Sequence, residues 1–202
     1  MTPIALLTLL AFANPFWVDK PLREWTDQQL SEFLTASPWA QSVPGPGKLG
    51  NFPPIQVFFA TAAPIRQAEQ EAKRRLELRR PADAPSADDP FAEEYRLWLE
   101  EFGPTQLILA IRVTDTQVYS NATELKQLEE ESFMGVGRTK IRMTGYFPPT
   151  VRDPFLRIAF PRQVALRDKE VRFELYIPGV AGPFRAAEFK LEPMVFGGKL
   201  EL

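Results

Sequence analysis

The last 32 residues of the chain, 171–202, alternate apolar and charged side chains over two strand lengths. Four apolar side chains share one face of the first stretch: Val171, Phe173, Leu175 and Ile177. The polar side chains between them share the other face: Arg172, Glu174 and Tyr176. The sequence PGVAGP then turns the chain into a second alternating stretch, 184–191. Because half-buried antiparallel strands need this period of two, the pattern predicts a hairpin of a mostly antiparallel sheet.

Similar patterns place the other strands and the helices. Strands are predicted in four further ranges: 55–60, 106–113, 139–147 and 155–160. The range 106–113 is nearly continuous apolar, so it is predicted to be a central strand buried on both faces. Helices are predicted in four ranges: 27–35, 64–80, 90–102 and 122–133. A short hairpin is predicted at 194–202, around Gly197-Gly198, with a bulged single strand as the alternative. These elements predict an α+β fold: a mostly antiparallel β-sheet or small β-sandwich of about six or seven strands, with inserted helices and a short N-terminal helical arm.

The first thirteen residues, MTPIALLTLLAFA, form an uncharged apolar run. The run ends in Ala11-Phe12-Ala13, the small-x-small pattern typical of a signal-peptide cleavage site, so a mature chain beginning at Asn14 is predicted. About eleven apolar residues are too few to cross a bilayer, which needs about twenty, so no integral membrane span is predicted. The alternative is a terminal element that is retained and buried, since the basic residues that usually open a signal peptide are missing.

Composition divides the chain into four parts. Residues 1–13 are a candidate signal peptide, 14–43 an N-terminal helical arm, 44–54 a Pro/Gly linker and 55–202 an α+β domain. The linker sequence PGPGKLGNFPP has no periodicity and is followed by no Lys-Ser/Thr pair, so it predicts a hinge and not a phosphate-binding loop. A chain of 202 residues supplies one well-buried core, which favours a single domain with appendages.

The N-terminal arm concentrates aromatic side chains around one short helix. Thr26 and Gln29 have the spacing of a capping box and predict where this helix begins. Trp17, Trp25 and Trp39 surround the helix. Exposed tryptophans are enriched at protein interfaces, so these three are candidate partner-binding residues. The alternative is that they anchor the arm on the body of its own domain.

The chain contains no histidine and no cysteine. These absences exclude imidazole and thiolate catalysis, zinc fingers, iron–sulfur clusters and disulfides, so no cofactor and no disulfide-linked partner is predicted. The formal net charge of −2 supplies no basic field of the kind that attracts nucleic acid, so no nucleic-acid partner is predicted. Catalysis is left to carboxylate, lysine, tyrosine, serine or threonine side chains.

The helix predicted at 64–80 carries the most basic patch of the sequence. Its five cationic residues are Lys73, Arg74, Arg75, Arg79 and Arg80. An anionic partner is one interpretation of this patch. However, Glu69, Glu71 and Glu77 lie at helical spacing from these cations, so ion pairing within the helix is the simpler interpretation.

Four short motifs are spread over most of the chain. They are Lys20-Pro21-Leu22-Arg23-Glu24-Trp25-Thr26, Ser37-Pro38-Trp39-Ala40, Ala63-Pro64-Ile65-Arg66 and Gly198-Lys199-Leu200-Glu201-Leu202. In this combination the chain resembles a family of uncharacterised exported bacterial proteins that opens with a KPxxEWT…SPWA segment. The resemblance implies export from a bacterial cell. The family has no known activity, so the resemblance implies no site residues.

The sequence leaves three functions open. The first, which the missing catalytic residue types favour, is a non-catalytic periplasmic or secreted protein that binds or assembles with a partner such as an envelope protein. The second is a carrier of a small ligand or lipid, with a cavity between sheet and helices. The third is a carboxylate-dependent hydrolase, for which the acids nearest to strand positions are Asp115, Asp153 and Glu174.

Overall fold

A computed structural model describes residues 15–47, 52–81 and 90–202, and for 90–92 it describes the backbone alone. The candidate signal peptide, 1–13, and the middle of the predicted linker, 48–51, lie outside the described residues. Within the described ranges, no helix has both the length and the apolar character needed to cross a membrane.

Five α-helices and eleven strands lie in the described residues. The helices are α1, Phe16–Asp19; α2, Asp27–Thr35; α3, Ala63–Leu78; α4, Pro90–Phe102; and α5, Ala122–Glu131. The strands are β1, Ala40–Val43; β2, Ile55–Phe59; β3, Gln106–Arg112; β4, Phe133–Val136; β5, Thr139–Arg142; β6, Gly145–Phe147; β7, Phe155–Pro161; β8, Glu170–Tyr176; β9, Phe184–Lys190; β10, Val195–Phe196; and β11, Lys199–Leu200. All strand pairs are antiparallel, so the predicted α+β class with mostly antiparallel sheet is confirmed.

The first sheet contains five strands in the order β1-β2-β3-β7-β6. β3 lies at its centre, and residues 107–111 are completely buried. The predicted central strand is therefore confirmed. A strand that is covered on both faces accepts no charged side chain along its middle, which is why this segment is a continuous apolar run.

The second sheet contains four strands in the order β5-β4-β8-β9. Along β8 the apolar side chains at 171, 173 and 175 are buried, while Arg172 and Glu174 are exposed on the outer face. There Arg172 binds Glu188 across the strand pair at 3.0 Å, and Glu174 binds Lys140 at 2.6 Å. The predicted alternation is confirmed from Val171 to Leu175. Tyr176, which was predicted on the polar face, is 6% exposed, and its hydroxyl donates to Glu124 of α5 at 2.8 Å.

The two sheets pack face to face through aromatic rings. Phe59 and Phe160 of the first sheet contact Phe173 of the second, with ring centroids 5.7 and 5.4 Å apart. Phe59 also contacts Phe189 at 4.7 Å. The body is thus a small β-sandwich, whose core lies between these inner faces.

A layer of helices covers the other face of the five-stranded sheet. Neighbouring side chains of a strand point to opposite faces, so Phe58 points away from the sandwich core that Phe59 enters. On this outer face Gln56 of β2 donates a hydrogen bond from Nε2 to the Thr35 carbonyl at the end of α2, at 3.0 Å. The molecule therefore has three layers, and the five-stranded sheet is the middle one.

The structure has more strands than the sequence predicts, mainly because short strands show little alternation of apolar and polar side chains. The segment predicted as one strand at 139–147 is two strands, β5 and β6, which belong to different sheets. Thr144 marks the crossing, where its backbone N–H donates to the Ala159 carbonyl at 2.8 Å. β4 begins at Phe133, where the sequence predicted the last turn of a helix. Both differences depend on pairing with distant strands, which local alternation does not encode.

The predicted N-terminal arm, 14–43, joins the five-stranded sheet through β1. Ala40 pairs with Phe58 and Val43 pairs with Ile55. Buried side chains of the arm belong to the same hydrophobic cluster as those of the body. In the described residues the arm and the range 55–202 therefore share one core.

Candidate functional site

The three tryptophans predicted as candidate partner-binding residues pack around Phe33 of α2. Trp25 is 7% exposed and Trp39 is 2% exposed, and their rings lie 4.9 and 5.8 Å from the Phe33 ring. Both indole N–H groups are satisfied, by the carbonyls of Lys20 at 3.0 Å and Glu201 at 2.8 Å. Trp39 thus anchors the arm to the body, whereas the hydrogen bond and the ring contacts of Trp25 lie within the arm. Both side chains are buried and offer little surface to a partner.

Trp17 is half-buried, and it lies edge-on to Phe33 at 5.6 Å. With Leu22 and Phe196 it lines a hollow of about 160 Å³ next to the buried tryptophans. Trp17 keeps an exposed part, so among the three it has the most surface for a contact. Partner binding by these residues stays a prediction.

A larger groove lies in the helix layer, between α2, α3 and the outer face of the five-stranded sheet. Its volume is about 440 Å³. Six of the fourteen residues that line it are apolar: Leu30, Leu34, Phe58, Ala72, Leu76 and Phe155. Phe58 and Phe155 pack edge to face with centroids 5.4 Å apart, so they form a continuous apolar floor. We call this feature the α2–α3 groove.

The residue pattern of α3 explains why the groove stays unfilled. Ala68 and Ile65 of the buried stripe are completely buried against the body. One to two turns further along, the stripe continues with Ala72, whose methyl group leaves space above the sheet, and then with Leu76, which is 69% exposed. A long apolar side chain that lies so exposed at the wall of a groove is available to a ligand.

Charged side chains form the rim of the groove and tie its two helices together. Asp27 of α2 accepts hydrogen bonds from Arg75 Nη1 at 3.0 Å and Arg79 Nη2 at 2.6 Å. The hydrogen bonds from Arg79 and Arg75 hold the pKa of Asp27 below its ordinary value. Asp27 is therefore a carboxylate at neutral pH, and it is engaged by both arginines.

The predicted pairing within α3 is confirmed for two of its three acids. Glu71 accepts hydrogen bonds from Arg74 and Arg75, and the shortest distance to each arginine is 2.7 Å. These bonds lower the pKa of Glu71 to about 2. Glu77 pairs with Arg80 at 3.1 Å. The basic patch is thus largely neutralised by acids of the same protein.

Glu69 is the exception, and its expected pairing with the arginines of α3 is wrong. It lies four residues after Ile65 and three before Ala72, on the inner side of the helix, and it lines the α2–α3 groove. Burial raises the pKa of Glu69 to about 7, an effect that Asp153 reinforces and that the positive charge of Arg157 only partly opposes. Its spacing along the apolar stripe was the sequence signal that it would face inward.

A half-buried polar cluster lies next to Glu69 on the sheet side. Arg157 of β7 donates from Nη1 to Asp153 Oδ2 at 2.7 Å, and its guanidinium lies 4.4 Å from the ring centroid of Tyr95 in α4. The Tyr95 ring in turn packs edge-on against Phe147 at 5.1 Å. Burial raises the pKa of Tyr95, so its hydroxyl is neutral. The charge of Arg157 is therefore already shared between Asp153 and an aromatic face.

Arg112, at the end of β3, is the cation of the groove that remains available. It is exposed, it lines the groove, and it makes no ion pair with any described residue. In the sheet register Arg112 pairs with Phe155 of the groove floor. No sequence pattern distinguishes Arg112, because only the fold brings the end of β3 beside α2 and α3.

The acids named for a hydrolase each have a structural partner. Asp153 binds Arg157, and Glu174 binds Lys140 on the outer face of the four-stranded sheet. The Asp115 carboxylate accepts a hydrogen bond from the Gln117 backbone at 3.0 Å and so caps the turn that follows β3. Among the described residues, no group of three or more acidic side chains is arranged to hold a metal ion.

Comparison of the chain with known protein families, with curated proteins and with solved structures finds no match.

Proposed function

We propose that this protein is a non-catalytic exported protein that binds a small amphipathic molecule in the α2–α3 groove. The observation that carries the proposal is the groove itself, about 440 Å³ with an apolar floor beneath a rim of arginines. Ligand sites in proteins have volumes of roughly 300 to 1,000 Å³ and combine a mainly apolar lining with a few polar groups. The export part of the proposal rests on the sequence of 1–13 and on the family resemblance, and fractionation of producing cells tests it.

The groove favours a carrier or ligand-binding protein over a protein-interaction module built on the tryptophans. Two of the three tryptophans are buried in the core, whereas the groove has Leu76 69% exposed at its wall and a half-buried Phe155 in its floor. Exposed apolar side chains beside a concave surface are the feature that a bound ligand would explain.

The groove also disfavours a hydrolase with two carboxylates. Such an enzyme needs one protonated acid and one available carboxylate on either side of the scissile bond. The acids that line the groove are Asp27 and Glu69. Asp27 is held by two arginines, so Glu69 has no carboxylate in the groove to act with it.

A neutral apolar dye, N-phenyl-1-naphthylamine, tests this proposal by its fluorescence. Saturable binding to the protein is expected, and Leu76→Asp should weaken it about tenfold because a charge replaces apolar contact. Leu78→Asp is the matched control, since Leu78 lies on the same helix and is 73% exposed but does not line the groove. Dye binding that is absent, or that both variants affect equally, would contradict the proposal.

A further inference from the structure

The apolar floor alone gives a ligand limited affinity. The free energy gained by burying a short alkyl chain is largely offset by the translational and rotational freedom that the ligand loses on association. A ligand that binds usefully must therefore gain further free energy from a polar contact. The charged side chains of the groove determine which head group can supply that contact.

Among the described residues that line the groove, the ion pairs leave one positive charge unpaired. Arg75 is shared by Glu71 and Asp27, and Arg79 is bound to Asp27. Arg112 has no such partner among the described residues. A guanidinium group binds carboxylates and phosphates through two parallel hydrogen bonds, which makes it a strong site for a planar or tetrahedral anion.

The position of Arg112 also fixes where the apolar part of a ligand would lie. Arg112 is adjacent to Phe155 in the register of β3 and β7, and Phe155 contacts Phe58. A head group at Arg112 therefore directs an attached chain onto the two aromatic rings and toward Leu34 and Ala72, which line the same groove.

From this geometry we infer that the ligand is a free, single-chain amphiphile with an anionic head group, a carboxylate or a phosphate, which Arg112 binds while the chain lies on Phe58 and Phe155. This inference rests on the proposed function, because it assigns the head group of the molecule that the groove takes. A cationic head group would meet the positive charge of Arg112 and would be disfavoured by it.

Calorimetric titration with three ten-carbon probes tests the inference. The probes are decanoate, decyltrimethylammonium and decyl maltoside, each used below its critical micelle concentration. Decanoate should bind about tenfold more tightly than decyltrimethylammonium, the factor that one charge-assisted hydrogen-bonded pair supplies. Arg112→Gln should reduce this preference to about twofold and leave decyl maltoside unaffected. Arg138→Gln is the matched control, since Arg138 is an exposed arginine of the β4–β5 turn. Monodecyl phosphate in place of decanoate distinguishes the two kinds of anion.

The outcomes separate the inference from the proposed function. If none of the probes binds, the proposed function fails. If the neutral probe binds but anion and cation bind equally, the groove is a ligand site and the head-group inference is overturned. A preference for decanoate that persists in the Arg112→Gln protein would show that Arg112 does not bind the head group, which overturns the inference. Binding to phosphatidylglycerol vesicles in the absence of binding to the monomeric probes would assign the groove to a membrane surface and also overturn the inference.

Discussion

At the scale of single residues, Glu69 shows how the pKa of an ionisable side chain on a buried stripe depends on its surroundings in the fold. Its position four residues after Ile65 is visible in the sequence and indicates an inward side chain. Burial raises its pKa, and the two charges that modify this effect, Arg157 and Asp153, lie more than eighty residues away and are brought near only by the fold. The sequence could therefore have located Glu69 but could not have supplied its pKa.

Glu69 predicts a pH dependence of stability. The folded protein keeps a proton on Glu69 up to about pH 7, whereas the ordinary value of 4.5 applies to the unfolded chain. The folded state thus binds more protons between these values, so the free energy of unfolding should fall as the pH rises from about 4.5 to 7, by on the order of 3 kcal/mol. Glu69→Gln, which stays neutral, should remove this fall in urea unfolding measured at pH 4.5 and pH 8.

The control for this measurement is Glu32→Gln, since Glu32 is an exposed acid on α2. Its profile should follow that of the unmodified protein at both pH values. A Glu69→Gln protein that loses as much stability between pH 4.5 and pH 8 as the unmodified one would show that another group carries the dependence.

At the scale of elements, the groove depends on how α2 is held against α3. Asp27 lies in the first turn of α2, and Arg75 and Arg79 lie at the end of α3. Both positions are favourable, because a helix N-terminus attracts negative charge and a C-terminus attracts positive charge. The capping box that begins α2 was predicted from Thr26 and Gln29 and is confirmed. The ion pairs were not predicted, since 48 and 52 residues separate their partners in sequence.

The capping box gives a prediction for α2. The Thr26 hydroxyl accepts a hydrogen bond from the Gln29 backbone at 3.1 Å, and Gln29 Oε1 accepts one from the Thr26 backbone at 3.0 Å. Thr26→Ala removes the first of these, so the free energy of unfolding should fall by about 1 kcal/mol. Gln28→Ala, at an exposed position of the same turn, should change it much less. Equal effects of the two substitutions on urea unfolding would contradict the role of the cap.

At the scale of the whole molecule, local patterns and distant pairings contribute different parts of the fold. The alternation at 171–177 predicts β8 and the apolar run at 106–113 predicts β3, because each pattern reflects which faces of its strand are buried. They do not report that β3 pairs with β7, or that 139–147 is divided between two sheets. Those features arise from long-range contacts, and the groove is among them, because its lining comes from two helices and three strands.

The sandwich core yields the last prediction. Phe173 is completely buried, and its ring contacts Phe59 at 5.7 Å, Phe160 at 5.4 Å and Phe189 at 6.1 Å. Phe173→Asp places an unpaired charge between the two sheets, so cooperative unfolding should be lost in circular dichroism. Phe173→Leu should still unfold cooperatively, with a free energy of unfolding lowered by about 1 kcal/mol. Arg172→Asp, one residue away on the exposed face, should still unfold cooperatively. Similar tolerance of aspartate at 172 and 173 would mean that the two sheets do not pack through this face of β8.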